Sequence, residues 1–138
     1  GRKALLNVFV NSEGNLDFRA DFVDANELST SEGDGTSYRK LMCVAFDLAV
    51  LRAHLGGKFP RFVYHDGIFE ALDPRPKKNL LDIIREYSDL GIQTVITLIG
   101  SDAPPPEPDE TEVLEAREII VKLHDDGKDG RLFKFESW

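Results

Sequence analysis

Hydrophobic and polar residues alternate near the start of the chain. Residues 5–10 (LLNVFV) are mostly apolar, and residues 16–23 (LDFRADFV) carry apolar side chains at alternate positions. The four residues SEGN at positions 12–15 separate the two runs and are typical of a turn. Because alternation with a period of two indicates strands with one buried face, the pattern predicts an antiparallel β-hairpin.

In the middle of the chain, two helical patterns alternate with two short apolar runs. Residues 36–55 predict a long helix that is apolar nearly all round, so we expect it to be buried on most sides, with Cys43 packed in the core. Residues 77–90 predict a second helix with one apolar face. The runs at residues 62–66 and 92–99 predict two strands. Continuous apolar strands are typical of a parallel sheet that is buried on both faces.

The order of the elements indicates an α/β protein. After a proline-rich linker or rigid loop at residues 103–108 (APPPEP), residues 110–123 predict a third helix with acidic residues in its first turns. Residues 132–135 (LFKF) predict a last strand. The whole chain, residues 1–138, is therefore expected to form a single layered α/β domain with parallel central strands and an N-terminal β-hairpin.

Composition narrows the function classes. Of 138 residues, 17 are Lys or Arg and 25 are Asp or Glu, which gives a formal net charge of -8. This balance argues against non-specific nucleic-acid binding by the chain alone, because phosphate contacts need clustered basic residues. The one cysteine excludes an internal disulfide and indicates a reducing, cytoplasmic environment. No stretch approaches the ~18 apolar residues that span a membrane, so no membrane partner is expected.

The segment before the long predicted helix is rich in small and hydroxyl side chains. It reads STSEGDGTS over residues 29–37. A helix start exposes unpaired amide groups and the positive end of the helix dipole, so such a loop can bind a phosphate. The same residue types also stabilise helix starts as ordinary N-caps. The segment is therefore either an anion-binding loop or an N-cap loop.

An acidic residue ends the first of the two central strands. Asp66 closes the run at residues 62–66, and Asp73 follows seven positions later. The carboxyl ends of parallel strands form the ligand-binding edge of an open α/β sheet. A carboxylate there can hold Mg²⁺, usually through water. The alternative is that Asp66 caps the turn that follows the strand.

Taken in order, these segments resemble the C-terminal lobe of an ABC-type ATPase head of the SMC/RecN class. In that class a signature loop opens a long apolar helix, and a Walker B strand, a Leu-Asp D-loop and a strand before the switch region follow. The corresponding segments here are residues 31–34 (SEGD), 62–66 (FVYHD), 71–73 (ALD) and 92–97 (IQTVIT). More narrowly, SEGDGTSYRKLMCVAFDLAV and FVYHDGIFEALD are similar to the uncharacterised C-terminal domain of long bacterial coiled-coil ATPases.

The resemblance implies a site that two heads share. ATP would bridge them, because the signature loop of one head contacts the γ-phosphate held by the other, and Asp66 would orient Mg²⁺. Asp73 would lie at the seam between the heads. The implied setting is DNA maintenance or phage defence, with DNA as a partner of the complete assembly. The implied ATP-binding positions are Ser31, Gly33, Asp34, Gly35 and Asp73.

Three departures from the family pattern bear on activity. The sequence has no GxxxxGK[ST] phosphate loop, which in this class lies in an N-terminal lobe, so ATP hydrolysis is expected only when that lobe completes the head. Gly67 stands where the family usually has a catalytic Glu, and Leu98 stands where it has a switch histidine. Glu70 and His65 are the remaining catalytic candidates beside Asp66. Alternation along the strand places the His65 ring on the face opposite Asp66.

Two other functions stay open. A domain that has lost catalysis would be an ATP-gated or ATP-independent interaction module. A chain whose resemblance does not extend to function would be a small stand-alone α/β binding domain that ignores ATP. Turnover and ATP-dependent association of the complete protein distinguish the three.

Overall fold

The structure is a computed structural model of the chain and describes residues 3–24, 26, 28, 35–106, 108–109, 111–124, 126–127 and 130–131. Its contacts divide the chain into two units, residues 1–104 and residues 105–138. The predicted α/β class with an N-terminal hairpin is confirmed, whereas the strand predicted at residues 132–135 lies outside the described residues. The main elements are β1 (Lys3–Val10), β2 (Leu16–Val23), α1 (Thr36–Ala53), β3 (Phe62–Asp66), α2 (Pro74–Asp89) and β4 (Gln93–Thr97).

The N-terminal hairpin follows the predicted alternation. Strands β1 and β2 pair antiparallel over their full length. The side chain of Asn11 closes the turn, because its Oδ1 accepts hydrogen bonds of 3.0 Å from the amides of Glu13 and Asn15. The ring of Phe18 stacks on Phe46 of α1 with 4.5 Å between ring centroids. The hairpin prediction is confirmed, and its aromatic face contacts the long helix.

Helix α1 buries one face rather than most of its surface. Val44, Leu48 and Leu51 recur at the i, i+4, i+7 spacing and are at most 6% exposed. Cys43 is exposed, so the prediction that it packs in the core is wrong. The expectation of burial on most sides is also wrong, because the described chain leaves the face that carries Cys43 uncovered. Among the described residues, no helix is both long enough and apolar enough to cross a membrane.

Strands β3 and β4 form the predicted parallel pair. Their register places Asp66 beside Thr97 at the carboxyl end of both strands. Helix α2 connects them and begins at Pro74 rather than at the predicted residue 77. The first turn of a helix tolerates proline because its amide groups have no partner within the helix. The buried apolar face of α2 consists of Leu80, Leu81 and Ile84.

The parallel pair is covered on one face only. His65 points to the inner face and is 9% exposed. On the opposite face, Phe62, Tyr64 and Val95 are 58%, 55% and 42% exposed. The expectation that both faces are buried is therefore wrong for the described chain, because none of its elements covers this side. We call this side, with its three exposed apolar residues, the open face.

The predicted third helix is not formed by the described residues of the second unit. Within residues 111–124 the one helical element is a 3-10 turn at Ala116–Glu118, which a capping box closes. Beyond it, Ile120 and Val121 are 87% and 64% exposed. An isolated helix of this length is marginal unless its apolar face is packed, and β-branched residues lower helix propensity further. The helix prediction at residues 110–123 is wrong for this reason.

Candidate functional site

Asp66 is exposed at the carboxyl end of β3, the edge at which open α/β sheets bind ligands. Thr97 lies beside it on β4 and donates a hydrogen bond from Oγ1 to Asp66 Oδ1. The hydroxyl of Tyr64 lies 3.2 Å from the same threonine oxygen. Because Thr97 gives its one hydroxyl proton to Asp66, the bond between the two hydroxyls is donated by Tyr64. A neighbouring strand therefore orients Asp66, and the contact is not a cap on the following turn.

Gly67 follows Asp66 and adopts a left-handed backbone conformation, with φ 58°. Its amide donates a 3.0 Å hydrogen bond to the carbonyl of Thr97, which extends the β3–β4 ladder by one residue. A Cβ at position 67 would lie 2.5 Å from Oε1 of Glu70. Glycine is therefore favoured by the backbone, and the tip of the flexible Glu70 side chain occupies the space next to it.

Lys40 of α1 holds Glu70. Its Nζ lies 2.9 Å from Glu70 Oε2 and 3.0 Å from the carbonyl oxygen of Gly67. On the same face of α1, Ser37 donates a 3.0 Å hydrogen bond from Oγ to the carbonyl of Ala71. Two side chains near the start of α1 therefore bind the segment that connects β3 to α2. We call this set of contacts the clasp.

We call the connecting segment, residues 67–73, the site loop. Two buried apolar side chains also hold this loop in place. Ile68 is 2% exposed and Phe69 is fully buried. Ala71 adopts φ 55°, a region that few residues other than glycine occupy, and the clasp binds its carbonyl there. Periodicity does not reveal this anchor, because a single turn has no repeat. The signal that points to it is an adjacent pair of large apolar residues between two acidic positions.

The remaining ATP-binding candidates lie at or before helix starts. Gly35 is the N-cap residue of α1 and Asp73 is the N-cap residue of α2. Neither helix has a side-chain cap at its start within the described chain. Ser31, Gly33 and Asp34 lie outside the described residues, so their placement stays a prediction.

His65 is separated from the other candidates. It lies on the inner face of β3, where its Nε2 is buried without a hydrogen-bond partner in the described chain. The buried hydroxyl of Thr94 is likewise unpaired among the described residues. Because neighbouring strand residues point to opposite faces, the structure does not bring the His65 ring to the carboxylate of Asp66. The His65 ring therefore lies on the other side of the sheet from the candidate site.

Asp66 offers one metal ligand rather than a complete metal site. Within the described part of the chain, no group of three or more His, Cys, Asp or Glu side chains could hold a metal ion. Mg²⁺ usually keeps several waters and is bound through one or two carboxylates together with substrate phosphates. An exposed carboxylate oriented by Thr97 fits that kind of site.

Replacing Thr94 by Val is expected to stabilise the chain by about 1 kcal/mol. Valine has nearly the same shape as threonine and removes the buried hydroxyl that lacks a partner. Thr97→Val is the matched control, because that hydroxyl is bonded to Asp66 and its removal should not stabilise the chain. Chemical denaturation measures both. A lower free energy of unfolding in Thr94→Val would mean that its hydroxyl has a partner beyond the described residues.

Comparison with known proteins identifies one family. A family model described as an uncharacterised protein conserved in bacteria (DUF2326) matches residues 1–137. No curated protein and no solved structure matches the chain significantly. The family description carries no activity, ligand or partner.

Proposed function

We propose that this chain, which belongs to the DUF2326 family of bacterial proteins, is the C-terminal part of an ABC-type, SMC/RecN-like ATPase head. It would supply the signature loop and the Walker B strand to an ATP-sandwiched pair of heads in the cytoplasm, for DNA maintenance or phage defence. The clasp is the observation that carries the proposal. Ser37 and Lys40 bind groups that lie 34 and 27 positions further along the chain, in the segment after Asp66.

The clasp holds the start of α1 against the segment after Asp66, so that one lobe carries both parts of the proposed site. A γ-phosphate held by the other head would meet, at the start of α1, the amides of the preceding loop and the positive end of the helix dipole. Asp66, on the strand that leads into the site loop, would orient the Mg²⁺ of the ATP held by its own head, and this ion offsets phosphate charge. Sites of this class act by positioning and charge stabilisation, so the side chains that fix the carboxylates are central to the proposal.

Glu70 is proposed to position the attacking water. Position 67 is glycine, but the Glu70 carboxylate fills the space next to that glycine. Lys40 engages one of its two oxygens, Oε2. The family usually has its catalytic glutamate at position 67, where this chain has glycine. The site loop instead offers the carboxylate of Glu70 near the end of β3.

The open face supports an N-terminal lobe as the partner. A parallel sheet is normally covered on both faces, and here Phe62, Tyr64 and Val95 are exposed. We assign this face to the lobe that carries the phosphate loop. The second head would meet the ATP from the other side, with exposed Asp73 at the seam between the heads.

The signature-loop assignment is tested by association of the complete protein, including its N-terminal lobe. Mg-ATP should drive head association, and Ser31→Arg should weaken it by about tenfold or more, since the bulky side chain would occupy the γ-phosphate position. Ser12→Arg, in the exposed hairpin turn, makes the same substitution away from the site. Light scattering measures association. Equal ATP-driven association in both variants would contradict the assignment of residues 31–35.

A second candidate function is an ATP-gated clamp that does not hydrolyse ATP. The ion pair between Lys40 and Glu70 favours it, because the pair engages the carboxylate that would otherwise position water. ATP-dependent association without turnover would support the clamp. A complete protein that neither associates nor turns over ATP would contradict both functions.

A further inference from the structure

Lys40 makes contacts that its sequence position does not predict. A lysine just after a candidate phosphate loop would be expected to meet phosphate or solvent. Its ammonium instead lies between the Glu70 carboxylate and the Gly67 carbonyl, at 2.9 Å and 3.0 Å. Its side chain is 33% exposed and therefore half-buried. These contacts engage two of the donor hydrogens of the ammonium.

From these contacts we infer that Lys40 is a positioning residue, which fixes the Glu70 carboxylate and the site loop instead of binding phosphate. This inference rests on the proposed function for its catalytic consequence, but the contacts themselves do not depend on it. Glu70 lies at the end of a short turn, in which its amide donates a 3.1 Å hydrogen bond to the Gly67 carbonyl. Lys40 binds that same carbonyl and the side chain of the residue that closes the turn. One cation therefore binds both ends of the turn.

The clasp also couples α1 to the site loop. Ser37 and Lys40 lie three positions apart and so share one face of α1. Ser37 binds the carbonyl of Ala71, and Lys40 binds the earlier part of the loop. Displacement of the start of α1 would therefore move two points of the loop together. A ligand bound at the start of α1 would in this way also set the position of Glu70.

The test uses Lys40→Met, which keeps the length of the side chain and removes its charge. We expect amide hydrogen exchange at Glu70 and Leu72 to become about tenfold faster, because both amides bond within the site loop. In the complete protein, kcat for Mg-ATP should fall by about tenfold with KM unchanged. Lys40→Arg should retain most of both properties. Lys58→Met, on an exposed surface position, is the control.

The double variant Lys40→Met/Glu70→Gln sharpens the test. If Lys40 acts through Glu70, the double variant should lose no more turnover than the more impaired single variant, because the second change removes an interaction that is already gone. Unchanged exchange at Glu70 and Leu72 in Lys40→Met would overturn the inference, as would a raised KM with unchanged kcat. If the complete protein shows no response to ATP, the proposed function fails, and the exchange measurement alone decides the role of Lys40.

Discussion

Asp66→Asn is expected to lower Mg-ATP turnover of the complete protein by about 100-fold or more. Asparagine keeps the shape of the side chain and can still accept the hydrogen bond from Thr97, but it carries no negative charge to orient a divalent cation. Stability should change little, because the side chain is exposed. Phosphate release measures the turnover, and thermal unfolding confirms that the variant is folded.

Two variants bracket this result. Asp82→Asn, on the exposed side of α2, removes the same charge away from the site and should keep full turnover. Thr97→Val leaves Asp66 charged but removes its hydrogen-bond donor, and turnover should fall by about tenfold. Full turnover in Asp66→Asn would show that the cation is held elsewhere. Equal losses in Asp66→Asn and Asp82→Asn would show that the effect is one of total charge.

Phe69→Ala is expected to destabilise the chain by about 3–5 kcal/mol. Phe69 is fully buried although it lies in a connecting loop, so its removal leaves a cavity beneath the site loop. The matched control is Phe62→Ala, because that phenylalanine is 58% exposed on the open face. Phe62→Ala should destabilise this chain by less than about 1 kcal/mol. Chemical denaturation measures both variants.

The comparison of the two phenylalanines also tests the assignment of the open face. If the N-terminal lobe covers that face, Phe62→Ala should lower the free energy of unfolding more in the complete protein than in this chain alone. Phe69→Ala should lower it equally in both, because Phe69 is already fully buried in this chain. Equal costs for the two variants in this chain would contradict the burial of the site loop.

Local sequence patterns were sufficient to predict the elements that depend on neighbouring residues. The hairpin depends on alternating apolar positions and on a turn, and the alternation and the turn residues SEGN at positions 12–15 are both visible in the sequence. That Asn11 closes this turn by accepting two amide hydrogen bonds is seen only in the structure. The parallel pair of β3 and β4 was likewise indicated by two apolar runs separated by a helical pattern. These features need no knowledge of distant contacts.

The features that the sequence did not predict depend on packing partners. Residues 110–123 have a helical pattern, but an isolated helix needs a surface to pack on, and only the turn at Ala116–Glu118 is formed in the described part. The pattern of α1 is apolar nearly all round, so it could not identify which side would be buried. Phe69 belongs to no periodic element, and its burial follows only from the arrangement of the surrounding elements.

The sequence indicated the carboxylates of the candidate site. It did not indicate the side chains that orient them. Asp66 was indicated by its place at the end of an apolar strand. Its donor Thr97 is 31 positions away, and the pairing requires the strand register. Lys40 and Glu70 are 30 positions apart and meet only because α1 packs next to the site loop. Contacts of this kind leave no signal in a single sequence.

The exposure of Cys43 has a practical consequence. It is the only cysteine in the chain and lies three positions after Lys40, on the helix whose start forms the clasp. A thiol-reactive fluorophore or spin label would therefore attach to this chain at one defined point without any prior mutation. Such a probe would report movement of α1. If two heads associate as proposed, it would also measure the distance between them, whether or not nucleotide is hydrolysed.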